Sequence, residues 1–324
     1  MTLSKLARLA NVSVSVVSKA FSGREDVSEA MREHVFAVAR EYGCFQQFYH
    51  APYDKPVIAV IIPEAISQYY IHYIEALKRS MEQNGYTMLL SISNFDRQLA
   101  SELAHYYAVH SKVDGLLMIS GANALPQNTT TAIVSFSAGE KENETGVTIH
   151  YDMHKGLARA IRYLKENGHQ RIGYVGEPFT ASKCDILCQE MERAGIEPCR
   201  EWIVNSRLRF EEAGIDGVRR IWRCEEKPTV IIGAYGYITQ GILRELSRMG
   251  LEVPRDVSVL SLDNDPYPLH PTLDVSCIPS GIEVLCEQVM RILGERMRTP
   301  HPNMPAHILL SADFHAGKTI KKLN

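Results

Sequence analysis

Several features common in other protein classes are missing from these 324 residues. No window reaches the ~18 consecutive apolar residues that a membrane-spanning helix needs. No apolar run follows Lys5 and Arg8, so the sequence predicts a chain without a secretory leader, located in the cytoplasm. Cysteine is sparse: Cys44, Cys184, Cys188, Cys199, Cys224, Cys277 and Cys286 form an odd, scattered set without a CxxC pair. That excludes a disulfide scaffold and a zinc finger. Cys184 and Cys188 are helix neighbours at i,i+4, a spacing that fits a metal or redox pair as well as two plain thiols in a reducing compartment. Enzyme signatures are missing too: there is no GxSxG, P-loop, HExxH or glycine-rich dinucleotide turn. The expectation is a non-enzyme with no cofactor and no metal. The 12 histidines are scattered, and His169, at a helix-to-strand step, reads as a structural cap.

Nor is there an excess of either charge. Lys and Arg total 35 against 38 Asp and Glu, a net charge of −3, and 45% of the residues are hydrophobic. Such a chain is not disordered and is long enough to bury large cores. The balance hides a segregation. Residues 1–24 hold Lys5, Arg8, Lys19 and Arg24 and no acid, whereas 25–56 carry −3 and 57–324 carry −4. A concentrated basic segment gains by releasing the counterions of a nucleic acid duplex.

The first 42 residues lack proline and any strand-like run. Leu3, Leu6, Ala7 and Ala10 recur as the stripe of an amphipathic helix. Asn11-Val12-Ser13 interrupts it: Asn tolerates the left-handed backbone of a tight turn, and Ser13 is a good N-cap. Val17, Ala20 and Phe21 mark a second helix. Ser28 caps a third, whose predicted inner face is Val35, Val38, Ala39 and Tyr42. Three short helices, the first two joined tightly, read as a helix-turn-helix. Its second helix would present Ser13, Val14, Ser15, Val16, Ser18 and Lys19 to a major groove. Val14 offers methyls to thymine, Ser15 donates or accepts, and Lys19 suits guanine or phosphate.

From residue 57 the apolar runs Val57–Ile62, Met88–Ile92, Leu116–Ile119, Ile133–Phe136, Ile172–Val175, Val230–Ile232 and Val257–Leu262 alternate with amphipathic helices such as Ile71/Ile74/Leu77/Met81. Continuous apolar strands between helices predict an α/β body with parallel sheets covered on both faces. About 265 residues exceed one such core, so two lobes are expected.

Leu3-Ser4-Lys5-Leu6-Ala7 and Ala10 through Lys19, with Asp26-Val27-Ser28, resemble the DNA-binding head of the LacI/GalR family of bacterial transcription regulators. Val113-Asp114-Gly115-Leu116-Leu117, Asn167 through Tyr174 and Gly250 through Val259 resemble family segments of the body. The resemblance implies a helix-turn-helix domain at 1–44, a linker at 45–56 and an effector-binding, dimerising body like periplasmic sugar-binding proteins at 57–324. Its lobes would be 57–151 with 280–308, and 152–279 with 309–324. It also implies a homodimer on near-palindromic operator DNA, switched by a small, carbohydrate-related effector between the lobes, with no membrane partner. The alternative is a metabolite-sensing protein whose head makes protein contacts.

By the same resemblance Thr2, Ser13, Val14, Ser15, Ser18, Lys19 and Ser22 carry over as DNA-facing. Lys5 stands where the family usually has an acid, and Lys19 replaces a common arginine, losing the bidentate fork. The hinge departs most. Phe45 through Tyr53 replaces the family's hinge motif, Pro52 would break a helix there, and Tyr53 sits near the position of the minor-groove wedge. Either Tyr53 pries at a base step, or Phe45, Phe48 and Tyr49 pack between head and body, or the linker is loosely ordered. The effector pocket implied is Tyr69, Tyr70, Ser120, Ser137, Lys183, Tyr235 and Asp263, with Asp263 and Lys183 on polar groups and Tyr70 and Tyr235 on a ring face. Tyr235-Gly236 stands where the family has Asn-Asp, and Ser137-Ala138 where it has Asp-Arg, so carboxylates that hold sugar hydroxyls are missing.

Overall fold

The structure, a computed structural model, describes residues 1–22, 24, 26–48, 55–119, 122–127, 129–137, 147–264, 273–299, 307–311 and 313–323, the side chains at 46, 68, 137 and 264 excepted. Ser120, Ala138, Tyr49, Pro52 and Tyr53 lie outside the described residues. Internal contacts divide the chain into two units, Met1–Pro56 and Val57–Asn324.

The first unit holds α1 (Leu3–Leu9), α2 (Val14–Phe21), α3 (Glu29–Glu41) and the single turn α4 (Phe45–Phe48). Each long helix starts on a hydroxyl. Thr2 accepts from the Lys5 amide at 3.3 Å, Ser13 from Val16 at 3.2 Å and Ser28 from Met31 at 3.3 Å, each satisfying one of the orphan donors of a first turn. Asn11 adopts the left-handed backbone at φ 54°, turning α1 into α2. Leu6, Ala7, Ala10, Val17, Ala20, Phe21, Val35 and Ala39 close the core. One expectation needs correction. Tyr42 is half exposed, and Phe36 fills the place expected of it on α3, because the buried stripe follows 35, 36 and 39. Phe45 and Phe48 pack on the head itself, 5.9 and 5.7 Å from the Phe21 ring, with Arg40 stacked 4.5 Å over Phe45.

The second unit alternates strands and helices. Its first half runs β1 (Val57–Ile62), α5 (Gln68–Gln83), β2 (Thr87–Ile92), α6 (Arg97–His105), β3 (Gly115–Ile119), β4 (Ala132–Ser137), β5 (Val147–Asp152) and α7 (His154–Glu166). There follow β6 (Ile172–Gly176), α8 (Ala181–Arg193), β7 (Ile203–Asn205), α9 (Phe210–Ile221), β8 (Val230–Gly233), α10 (Gly236–Arg248), β9 (Ser258–Asn264), β10 (Ser276–Pro279), α11 (Ile282–Arg298) and β11 (His307–Ser311). Two all-parallel sheets result, ordered β11-β5-β4-β3-β1-β2 and β10-β9-β8-β6-β7. Each has its own apolar core. The apolar runs lie where expected; β5, β7, β10 and β11 were not foreseen. β11 pairs with β5 through Ser311, so the chain stays in the first sheet to 311 rather than 308. Among the described residues no helix is long and apolar enough to cross a membrane.

Candidate functional site

Two surfaces carry chemistry, one in each unit. On the head, α2 leaves Val14, Ser15 and Ser18 exposed on its first two turns while Val17, Ala20 and Phe21 face the core. Val14, Ser15 and Ser18 therefore form the solvent-facing side of α2, opposite the face that carries Val17, Ala20 and Phe21. Thr2 and Ser13 spend their hydroxyls on caps, and Ser22 donates to the Lys19 carbonyl at 3.3 Å. Lys19 forms an ion pair with Asp26, whose carboxyl is held below its usual range by the hydrogen bond from Lys19. Both partners are about half exposed, so the pair is weak. Any anionic partner of Lys19 therefore has to displace Asp26. Asp26→Asn frees Lys19, and fluorescence titration should show operator binding strengthened about three-fold, with a steeper salt dependence. Unchanged affinity and slope would show that Lys19 is not at the DNA.

In the body, parallel strands place their following loops at the carboxyl edge, and a ligand crevice opens where the strand order reverses. The reversals fall between β1 and β3 in the first sheet and between β6 and β8 in the second. Glu64 follows β1, Glu177 follows β6, Tyr235 follows β8 and Asp263 lies near the end of β9. These loops converge.

Lys183, on the first turn of α8, is paired with Asp263 and donates to the Ala234 carbonyl at 3.3 Å. Its ammonium lies 5.8 Å from the centroid of the Tyr235 ring. The Tyr235 hydroxyl accepts from the Phe210 amide at 3.3 Å. Burial and the neighbouring Glu177 carboxylate push its proton affinity up. Tyr70 is held well above the usual phenol range by burial, then by the charges of Glu64 and Asp263. Its ring meets Tyr69 edge-on at 5.1 Å. Tyr69, Tyr70, Lys183, Tyr235 and Asp263 therefore line or border one cleft. Ser137 ends β4 at the carboxyl edge of the first sheet.

The centre of the cleft is a residue that the sequence reading missed. Arg209 immediately precedes α9 and reaches two carboxylates at once. Its Nη1 and Nη2 donate to Glu64 at 2.9 and 3.3 Å, and its Nε and Nη2 to Glu177 at 3.2 and 3.5 Å. Glu64 follows the first sheet and Glu177 the second, and both are almost fully buried. The guanidinium also lies over Phe95, Phe179 and Phe210, at 5.6, 5.0 and 4.4 Å. Phe95 and Phe179, again from opposite lobes, stack at 4.3 Å with an interplanar angle of 14°. Nothing in the local sequence distinguishes Arg209 from its neighbour Arg207; its role comes from Glu64, 145 residues away.

The supports are built in. Thr180 accepts from the Glu177 amide at 2.9 Å, fixing that loop. Asp216 of α9 accepts from Ser206, which accepts in turn from the Leu208 amide. Phe95, Phe210 and Asp263 all hold left-handed backbone, at φ 60°, 56° and 43°, a conformation that non-glycine residues keep only where the surroundings impose it, often at functional sites.

Cys184 and Cys188 carry no reactive thiolate: burial pushes the Cys184 thiol up to about 12 and raises Cys188 too. Among the described residues no cluster of His, Cys, Asp and Glu suits a metal ion. His169 is buried and structural, but not as the helix cap expected. Its Nε2 donates to the Lys321 carbonyl at 2.9 Å and Nδ1 lies 2.8 Å from the Thr229 hydroxyl, tying the C-terminal segment to β6 and β8.

The family model described as bacterial regulatory proteins, lacI family, matches residues 2–44, and that of the periplasmic binding protein-like domain matches 161–320. The HTH-type transcriptional repressor CytR of Escherichia coli (strain K12) is 26% identical over 279 residues, covering 81% of this chain and 80% of its own. The solved lac repressor dimer, bound to operator and the anti-inducer ONPF, superposes at a TM-score of 0.68 with 18% identity, covering 99% of both chains. A complex of the regulator CelR with cellobiose superposes at 0.65 with 20% identity, covering 98% of this chain and 99% of that one. A head with an exposed helix-turn-helix face and a body of two parallel sheets around a cleft agree with both family models: the chain carries a DNA-binding head of the lacI type followed by a periplasmic-binding-protein-like body, and is a DNA-binding transcriptional regulator.

Proposed function

We propose that the chain is an operator-binding repressor that works in the cytoplasm as a homodimer on near-palindromic DNA, tuned by a carbohydrate-like effector in the cleft between its two sheets. The observation that carries the DNA half is the exposed Val14-Ser15-Ser18 face on an acid-free segment. One such helix reads a single half-site, and a two-fold pair reads two, about one helical turn apart. The relatives support the rest: CytR is a repressor, the lac repressor dimer holds operator, and CelR holds cellobiose. In the cleft, Lys183 and Asp263 offer a donor and an acceptor, and Tyr70 and Tyr235 offer ring faces to a sugar. The effector acts only through its unequal affinity for two lobe arrangements.

The test is a gel shift on DNA upstream of the chain's own reading frame at two salt concentrations, with sugars, sugar phosphates and nucleosides screened by thermal shift. A ligand that binds only the folded state raises the melting point. Asp263→Asn keeps an acceptor for Lys183 but loses the charge. The compound that stabilises the wild-type protein should then fail to stabilise the variant, whose operator affinity without ligand stays within about two-fold. An unchanged ligand titration removes Asp263 from the pocket, and a protein that shifts no upstream DNA at either salt overturns the operator reading.

A further inference from the structure

Removing the Arg209 side chain in thought leaves a built site. Glu64 and Glu177 would face each other from opposite lobes, both at least nine-tenths buried, with the stacked Phe95 and Phe179 rings alongside. Two desolvated carboxylates repel at this range, and neither has another cation: within the described residues Arg209 is the only ion-pair partner of either. Carboxylates that meet both edges of a fork, beside aromatic faces, are the surroundings that suit a planar, delocalised cation. An ammonium offers a point charge, cannot satisfy four carboxylate oxygens in one plane and does not stack.

We propose that Glu64, Glu177, Phe95 and Phe179 form a planar-cation receptor divided between the two lobes, and that Arg209 is its resident ligand, closing the cleft when no effector is bound. Closure in ligand-binding clefts of this architecture needs something to bridge the lobes. Here the chain supplies the bridge itself, and the bridge is held from behind by α9. Burial alone would weaken the charge on Arg209, but the hydrogen bonds to Glu64 and Glu177 more than offset that and hold its proton more tightly than usual. An effector therefore meets lobes already tied and shifts them only as far as it binds the bridged and unbridged arrangements unequally. The inference uses the cleft assigned above but needs no effector, so a failed ligand screen does not touch it and its own failure leaves the effector reading standing.

The experiment uses the full chain without effector. In Arg209→Ala, amide hydrogen exchange in residues 93–97 and 177–181 should run about ten-fold faster than in the wild-type protein, and the melting point should fall. Methylguanidinium added to the variant should slow that exchange again and raise the melting point, while leaving the wild-type protein unchanged. Methylammonium, of equal charge but without a planar fork, should do neither. Glu64→Gln guards against a variant that fails to fold, since it cuts only the tie to the first lobe. It should accelerate exchange in the same two segments with its far-UV circular dichroism intact. Exchange that stays at the wild-type rate in both variants overturns the proposal, as does equal rescue by the two cations, or none.

Discussion

Ser15→Glu removes operator binding while leaving the head folded and slightly more stable. The two effects have opposite signs because one side chain answers to two fields. Ser15 is the second residue of α2 and is exposed. At that position a carboxylate sits on the positive end of the helix dipole and adds roughly 0.5 kcal/mol. The first turn of α2 carries no acid and makes no competing ion pair. When α2 enters a major groove, the same carboxylate is driven against phosphates and base-edge acceptors. Like charges brought together at an interface cost several kcal/mol, and about 3 kcal/mol corresponds to a loss of roughly 150-fold. Fluorescence anisotropy with labelled operator, beside a thermal melt by circular dichroism, reads both. A variant that binds within about five-fold of the wild type shows that the first turn of α2 does not face DNA. A variant that melts lower shows that the cap geometry has been misread.

The head was legible almost to the residue, and the physical reason is locality. The α1–α2 turn depends on Asn11, which takes the left-handed backbone, and on Ser13, which caps the next helix two positions later; both properties belong to single residues. The α3 face was read one residue out of phase at Phe36 and Tyr42 because a 3.6-residue period fits two overlapping stripes. The body shows the converse. Strands with continuous apolar runs were visible, whereas β5 carries His150, Tyr151 and Asp152, and β7 has only three residues. β10 and β11 are edge strands of only four and five residues, too short for their apolar residues to stand out as a run. Such strands form because a neighbour supplies the hydrogen bonds, not because the segment prefers them. The cleft divides the same way. Lys183, Tyr235 and Asp263 enter through the family resemblance, each at a strand end or a first helical turn, and the structure brings them together. Arg209 has no such mark. Its function arises from two carboxylates, 145 and 32 residues away, that only the fold delivers.

Gly241→Ala should be the most damaging single-methyl change in the second unit. It adds no charge, yet its effect reaches the cleft. α9 and α10 cross with their backbones in contact through Gly214 and Gly241. A Cβ on Gly241 would overlap the Glu211 carbonyl oxygen, and one on Gly214 the Ile238 carbonyl oxygen. These obstacles are backbone atoms, with no flexible side-chain end to swing aside, so α9 itself must move. Overpacking of this kind costs typically 1–3 kcal/mol and more where the backbone has to shift. At about 3 kcal/mol the melting point of a unit this size falls by roughly 5 °C. The direction of relief matters as much as the cost. Glu211 belongs to the first turn of α9, next to Arg209 and Phe210, so pushing that turn outward draws the guanidinium away from Glu64 and Glu177. Gly241→Ala should therefore lower the melting point and also accelerate hydrogen exchange at 93–97 and 177–181, though the substitution lies in α10 and replaces no cleft side chain. A glycine with space for its Cβ provides the comparison: at Gly281, whose nearest neighbour is Tyr151 at 3.5 Å, alanine meets ordinary contact and only the strain of a positive φ of 66°, about 1 kcal/mol. If Gly241→Ala melts no lower than Gly281→Ala, the close crossing of α9 and α10 is not what holds Arg209 in place.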